Sequence, residues 1–238
     1  MKLPETSLNT AEMKVNGKVK TTRDAAEIGD EHVGTSRETP LKADAFEMDE
    51  EVKMDKIAYH FGEIMDIMGL DLTDDSLRGT PDRVAKMYIK EIFNGLNPEN
   101  LPEVKLFENK YNYKEMLVEK GVTVHSHCEH HFVPILGQAH VAYISNGYVI
   151  GLSKINRIVR HFSKRPQVQE RLTEQIAAEL KRVLKTDDVA VIVDAKHMCV
   201  SMRGVEDTSG STITSHYGGV FQTNNQKRVE FLKYIEMD

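Results

Sequence analysis
From Glu50 onward the apolar positions fall into helical spacing: Ile57, Phe61, Ile64, Met65 and Met68 recur every three or four residues and the run stops at Gly69. That pattern predicts a helix with one buried face, closed by a glycine suited to the left-handed conformation. Thr80-Pro81 predicts a second start, with threonine as N-cap and proline at the first helical position. Its apolar stripe is Val84, Met87, Tyr88 and Ile92, ending at Gly95. From Asn97 to about Lys120 the chain is polar and irregular. Val122, Val124 and the run from Phe132 to Ile144 then carry the β-branched and aromatic residues of strands. Asn146-Gly147, set between Ala142-Tyr143-Ile144 and Tyr148-Val149-Ile150, predicts a two-residue hairpin.

Ser153 is the expected N-cap of a helix with Ile155, Ile158, Val159 and Phe162 inward, which Arg165-Pro166 ends. A longer helix follows, with Val168, Leu172, Ile176, Leu180, Val183 and Leu184 on one side. Val189 to Val193 and His197 to Met202 read as two buried strands, the second carrying Cys199 into the sheet. Ser211 to Tyr217 predicts a further strand, Gly218-Gly219 a break and Arg228 to Ile235 a last helix. Paired strands mixed with helices define an α+β fold with antiparallel pairing.

Ahead of this body, residues 1 to 48 mix Thr, Glu, Lys, Asp and Gly without sustained period, and read as a disordered acidic tail. The division expected is therefore 1–48 tail, 49–96 helical part and 97–238 catalytic core. The first 50 residues hold 7 Lys/Arg against 11 Asp/Glu, and the remaining 188 hold 24 against 26. A near-neutral body argues against nucleic-acid binding through a broad basic face. The absence of a long apolar run and of a charged-then-apolar amino terminus predicts a soluble cytoplasmic protein, with no membrane partner.

Chemistry concentrates in one stretch, His125-Ser126-His127-Cys128-Glu129-His130-His131. Only two cysteines exist, and the second, Cys199, again lies beside a histidine, His197. Thiolate and imidazole are preferred zinc donors, so Cys128, His131 and Cys199 make a three-ligand set whose fourth position stays open, as in catalytic zinc sites. His130 and His197 are then left to transfer protons. A closed structural site with His130 or His197 as fourth ligand is the competing reading, and predicts metal without turnover. Arg83, Lys86, Lys154, Arg157 and Arg203 are candidate phosphate clamps, since arginine forks match phosphate oxygens.

Cys128-Glu129-His130-His131-Phe132, Gly151-Leu-Ser-Lys-Ile-Asn-Arg157, Arg165-Pro-Gln-Val-Gln-Glu-Arg-Leu-Thr173, His197-x-Cys199-Val, Arg203-Gly and Thr80-Pro-x-Arg-Val-Ala-Lys-Met-Tyr88 resemble the signature runs of GTP cyclohydrolase I, in matching order from about residue 50 to the carboxyl end. The resemblance implies a tunnelling fold, an antiparallel sheet with helices on one face, assembled into a homodecamer with active sites between subunits. It implies hydrolysis of GTP at C8, loss of that carbon as formate and rearrangement to 7,8-dihydroneopterin triphosphate, with zinc as cofactor. By motif, Cys128, His131 and Cys199 match the zinc ligands. His130 and His197 match the catalytic histidines, and Ser153 a residue of the later ribose steps. Glu170 matches the carboxylate that reads the guanine edge, and Arg83, Lys86, Lys154, Arg157 and Arg203 the triphosphate set. His125 and His127 are additional imidazoles beside the motif, and Ser215-His216-Tyr217-Gly218 departs from shorter forms of that turn. Another tunnelling-fold enzyme acting on a pterin or deazapurine is the nearer alternative, and would not need the triphosphate clamp.

Overall fold
The computed structural model describes residues 12–15, 18–21 and 34–237. Two units divide the chain, Met1–Ser36 and Arg37–Asp238. In the first, strands β1 (Glu12–Val15) and β2 (Lys18–Thr21) pair antiparallel. The rest of the expected tail up to residue 33 lies outside the described residues. Residues 37–48 belong to the second unit, where Arg37 carbonyl accepts from Gln175 and Ala45 carbonyl from Lys53.

The second unit is built on a five-stranded sheet in the order β7-β4-β5-β8-β9: β4 Met116–Cys128, β5 Pro134–Ile144, β7 Pro166–Gln167, β8 Val189–His197 and β9 Thr212–Tyr217. All pairings are antiparallel except the short β4–β7 contact, which is parallel. Alternation decides which face is covered. Val124, Ile135, Ala139, Val141, Val191 and Val193 face helices α3 (Leu152–Ser163) and α4 (Gln169–Leu184), meeting Ile155, Ile158, Leu172 and Ile176 in the main core. The opposite parity, Ala142, Ala190 and Ile192, packs against Phe221 and Phe231 of the carboxyl-terminal helices α6 (Val220–Thr223) and α7 (Asn225–Glu236). Successive strand residues point to opposite faces, so these two clusters lie on the two sides of the sheet.

Several local expectations change. The hairpin across Asn146-Gly147 does not form, because both edges of β5 are taken: Tyr143 pairs with Leu117 on one side and Val189 on the other. β6 (Tyr148–Ile150) pairs instead with β3 (Leu106–Glu108), inside the stretch expected to be irregular, and β4 likewise begins earlier, at Met116. The two strands expected between Val189 and Met202 are one strand, β8, which stays paired to β5 through Asp194, Ala195 and Lys196. The pairing of β8 with β5 ends at His197, and the chain closes into a one-turn helix, α5 (Met198–Ser201), so Cys199 sits on a turn and not in the sheet. Helix α3 is capped by Gly151, whose carbonyl accepts from Lys154 N at 2.8 Å; Ser153 is already helical. Helix α2 (Thr80–Lys86) starts from Gly79 in the same way and continues as a π-helical turn, Met87–Ile92. Helix α1 (Glu50–Ile67) buries Met65, but Ile64 and Met68 of its expected buried face are exposed.

One polar latch ties the helical segment to the core. Gly95 N donates to Lys164 O at 3.0 Å, and Arg165 Nε returns to Gly95 O at 2.7 Å. A Cβ on Gly95 would meet His161 O at 2.0 Å, so only glycine fits. Arg165 also donates to His161 Nε2 at 2.8 Å, and because arginine only donates, that nitrogen is unprotonated. Burial, reinforced by the Arg165 charge, pushes His161 down to about 4. Protonation of His161 is thus resisted in the fold and not in the unfolded chain. Its contribution to stability is present in full above about 6.5 and is lost as pH falls from there towards about 4. The urea midpoint is expected to drop across that window. His161→Gln, which keeps an acceptor for Arg165, is expected to flatten the drop; an unchanged pH profile in the variant would show that other groups carry it.

Candidate active site
The motif turn lies at the end of β4. Cys128 N donates to Val133 O and Phe132 N to Cys128 O, closing Cys128–Val133 on itself, and Phe132 takes a left-handed φ of 55°. A non-glycine residue in that region is unusual and marks a turn held by its surroundings. What holds it is Glu129: its amide donates to Gln167 O, and its carboxylate is gripped by both terminal nitrogens of Arg171, a residue only 5% exposed. The fork anchors a charge that is costly to bury unpaired. His130 and His131 therefore leave from a turn, and not from opposite faces of one strand.

β5 carries this turn to Cys199. His127 pairs with Pro134 and Ile135 with His197, so the ends of β4 and β8 flank the start of β5. The donor atoms of Cys128, His131 and Cys199 lie within 4.8 Å of one another. The donors fit a metal ion. Burial pushes the Cys199 thiol up, and the adjacent Cys128 sulfur adds to the shift, a strain that a coordinated cation relieves by taking both thiolates. Arg203 Nη1 donates to His131 Nε2 at 2.8 Å, so that ring nitrogen is unprotonated and its lone pair is taken up by the guanidinium. Among the described residues no fourth His, Cys, Asp or Glu joins the group.

Both remaining histidines stand beside it. His130 Nδ1 is 3.6 Å from Cys128 Sγ, with half of its side chain exposed. His197 Nε2 lies 2.7 Å from Gln169 Oε1. Gln169 is 1% exposed, and its amide nitrogen donates to the carbonyls of Val193 and Thr212, which settles that its oxygen faces His197. His197 consequently carries its proton on Nε2 and presents Nδ1 as acceptor. Burial lowers its pKa, while the neighbouring charge of Glu170 opposes the shift. Glu170 is exposed in the first turn of α4.

The other expected substrate residues are not gathered here. Ser153, Lys154 and Arg157 sit on the first half of α3, where Lys154 Nζ donates to Glu103 O at 2.7 Å and Asn156 to Glu119 Oε1 at 3.0 Å. Glu119 precedes Cys128 on β4 by nine residues, roughly 25–30 Å along a strand. Arg83 donates to Ser76 O and Thr80 Oγ1, and Lys86 lines a hollow with Glu51, Asp55 and Asp82. Of the phosphate set only Arg203 reaches the trio. His127 is half-buried with Nδ1 unbonded and its ring edge-on to Phe93; His125 is exposed beside Arg160 and Lys164. The residues that sequence reasoning missed are Gln169 and the Glu129–Arg171 pair. Their signal was in plain view inside quoted motifs, but a glutamine one residue before a carboxylate announces no chemistry until its partner is known.

A Cys/Cys/His trio that runs from the buried Cys128 through the half-buried Cys199 to the exposed His131, flanked by one exposed and one orientation-locked histidine, defines a candidate metalloenzyme site on an α+β sheet. The sequence profile of the family GTP cyclohydrolase I matches residues 57–236. The GTP cyclohydrolase 1 of Flavobacterium johnsoniae is 57% identical over 212 residues, 89% of this chain and 95% of that protein. Those of Salmonella gallinarum and Vibrio parahaemolyticus are 50% and 53% identical, covering 90% and 82% of this chain and 96% and 89% of theirs. The chain belongs to the GTP cyclohydrolase I family.

Gln169 fixes the ring of His197 through its side-chain oxygen. Gln169→Leu is expected to retain metal and lower kcat by about 10²-fold, part of what a positioned acid–base histidine contributes. It should also shift the pH profile of kcat, which a purely packing role would leave in place.

Proposed function
We propose that this chain hydrolyses GTP at C8 of the guanine, releases that carbon as formate and rearranges the ribose to 7,8-dihydroneopterin triphosphate, the entry step to folate- or pterin-type cofactors. The observation that carries the reading is the trio of Cys128, His131 and Cys199 with His130 and the Gln169-oriented His197 beside it. Zinc is the ion the donor set suits best, since thiolate and imidazole select it. Bound there, it supplies a Lewis acid and lowers the pKa of a water in the open position.

The chain's own groups do the rest. Opening the imidazole ring breaks two C–N bonds at C8, and each departing nitrogen needs a proton. His197 holds one on Nε2 and accepts at Nδ1; His130, half exposed, exchanges protons with solvent. Glu170 offers an acceptor-only carboxylate to guanine N1–H and the exocyclic amine. Arg203 points its guanidinium into the same place. Ser153 acts in the later ribose steps, and Lys154, Arg157, Arg83 and Lys86 take the triphosphate.

That assignment requires more than one copy. Ser153, Lys154 and Arg157 lie at the far end of β4 from Cys128, so a neighbour's α3 must complete the site. Supporting this, the edge of β9 away from β8 and the side of β4 away from β5 over Met116–Ser126 have no strand partner among the described residues. Open edges of this kind are closed by head-to-tail assembly into rings. The homo-oligomer proposed is a decamer of two such rings, in the cytoplasm, where both thiols remain reduced. No helix among the described residues is long and apolar enough to cross a membrane.

Incubating the zinc-loaded protein with GTP should yield formate and a fluorescent pterin, both lost on chelation. Cys199→Ala should lose metal and turnover together; His197→Ala should keep metal while turnover falls by about 10²–10⁴-fold. Tight metal with no formate would falsify the catalytic reading in favour of a structural metal site. Shared sites have their own test. His131→Ala and Arg157→Ala, each inactive alone, should recover activity when co-expressed, up to about a quarter of sites being intact on random mixing into one ring. No recovery in co-purified mixed oligomers would place the whole site within one chain.

A further inference from the structure
Helix α3 carries more positive charge on its solvent side than the substrate set uses. Arg157, Arg160 and Lys164 follow one another at i, i+3 and i+7, one face of a helix, over about 10 Å at 1.5 Å per residue. Together with Asn94, Asn100, Pro102 and His161 they line a hollow of about 370 Å³. No carboxylate lines it, and among the described residues none of the three cations is in ion-pair contact with a carboxylate. Ion pairs to carboxylates do occur elsewhere on the unit, as in Arg182 with Glu179, Lys227 with Glu230, Lys90 with Glu50 and Arg171 with Glu129.

The hollow is also built rigidly. Its far wall is the segment after the π-helical turn, fastened to α3 by the Gly95–Lys164 and Arg165–Gly95 hydrogen bonds. Asn100 Nδ2 donates to Asn94 O at 2.8 Å and Asn94 Nδ2 to Lys90 O at 3.0 Å, which fixes both carboxamides. Burial, with the Arg160 charge second, lowers the Lys164 ammonium, and only Glu91, lining the neighbouring hollow, opposes this. Repulsion among cations held together is relieved by an anion between them.

We propose that Arg160 and Lys164, with Arg157, Asn94 and Asn100, form an oligophosphate-binding site that extends beyond the residues assigned to GTP. Two guanidinium forks and an ammonium suit an anion carrying several charged oxygens. Three cations spread along 10 Å suit a chain of phosphates better than a single small anion. The shared chemistry has two sources: a separate phosphoanion, or the distal phosphate of GTP itself reaching past Arg157. Only Arg157 is common to this site and the GTP set, so the site does not depend on the reaction assigned above.

The test is calorimetric titration of the full-length, metal-loaded protein with inorganic triphosphate, beside the Arg160→Gln/Lys164→Gln variant, together with GTP kinetics on both. Neither substitution removes a latch bond, since Lys164 enters the latch through its backbone carbonyl; the urea midpoint checks folding. Two triphosphates per chain in the wild type and one in the variant, with KM for GTP unchanged, identify a separate phosphoanion. One per chain in both, with triphosphate affinity about tenfold weaker and KM for GTP about tenfold higher at constant kcat in the variant, identifies the substrate's own tail. Both effects should shrink as salt is raised. Equal stoichiometry, affinity within twofold and unchanged KM overturn the proposal. Because binding is read without turnover, a protein that binds triphosphate here yet releases no formate would sink the cyclohydrolase reading and leave this one standing.

Discussion
The register of β5 between β4 and β8 is the constraint on which the site depends. The donor atoms of Cys128 and Cys199 lie within 4.8 Å although a helix pair and four strands separate the two residues in sequence. Loop closure over such a length costs little more than over a shorter one, but it specifies no distance. The distance is specified by His127 opposite Pro134 and Ile135 opposite His197. Ile135, Ala139, Val141 and Tyr143 are each 1% exposed or less on the helix-covered side. A slip of one residue would turn all four to the other face, and at about 25 cal/mol per Å² of apolar surface such a slip costs many kcal/mol. The metal site inherits its precision from apolar alternation several residues away.

Around that point the chain spends polar contacts on orientation. Glu129 is tied to Arg171 and Gln167, Arg203 engages His131, and Gln169 joins α4 to β8, β9 and His197 through one carboxamide. Gln169 is also the first residue of α4, so the helix that supplies the core stripe supplies the acid–base partner too. Displacing α4 would then disturb Glu129, through Arg171, and His197 together.

Much of this was legible in the chain, and the failures share a cause. Helices with long apolar stripes, α1, α3, α4 and α7, were readable because their period is internal. The grouping of Cys128, His131 and Cys199 was readable because both cysteines stand beside histidines. What could not be read depended on partners remote in sequence. Asn146-Gly147 is a sound hairpin signal, but whether Tyr148–Ile150 can pair with β5 depends on β8 already occupying that edge. The apolar run His197–Met202 predicts a strand for Cys199, whereas β8 ends at His197 with its last pair to β5 and the chain turns into a helix. Ser153 looks like a cap until the extended Gly151 before it is known to start the helix. Gln169 carries no chemical signature by itself, and the spread of Ser153, Lys154 and Arg157 away from the trio is visible only once β4 is laid out at full length.

The same strand separates the chemistry from the charge, and this bears on how an anionic substrate is recognised. With a formal net charge of -6, the chain as a whole repels a triphosphate, so long-range attraction is not what brings one in. Recognition must be local, from cations left without counter-charges in concave places. Some basic side chains are neutralised in pairs with acids, among them Lys90, Arg171, Arg182 and Lys227. Helix α3 gathers Arg157, Arg160 and Lys164 in one hollow that no carboxylate lines, on a wall fastened by a glycine that tolerates no side chain. Fixing cations together unpaired costs stability that a packing role would not require, and a bound polyanion is the counterpart that offsets it.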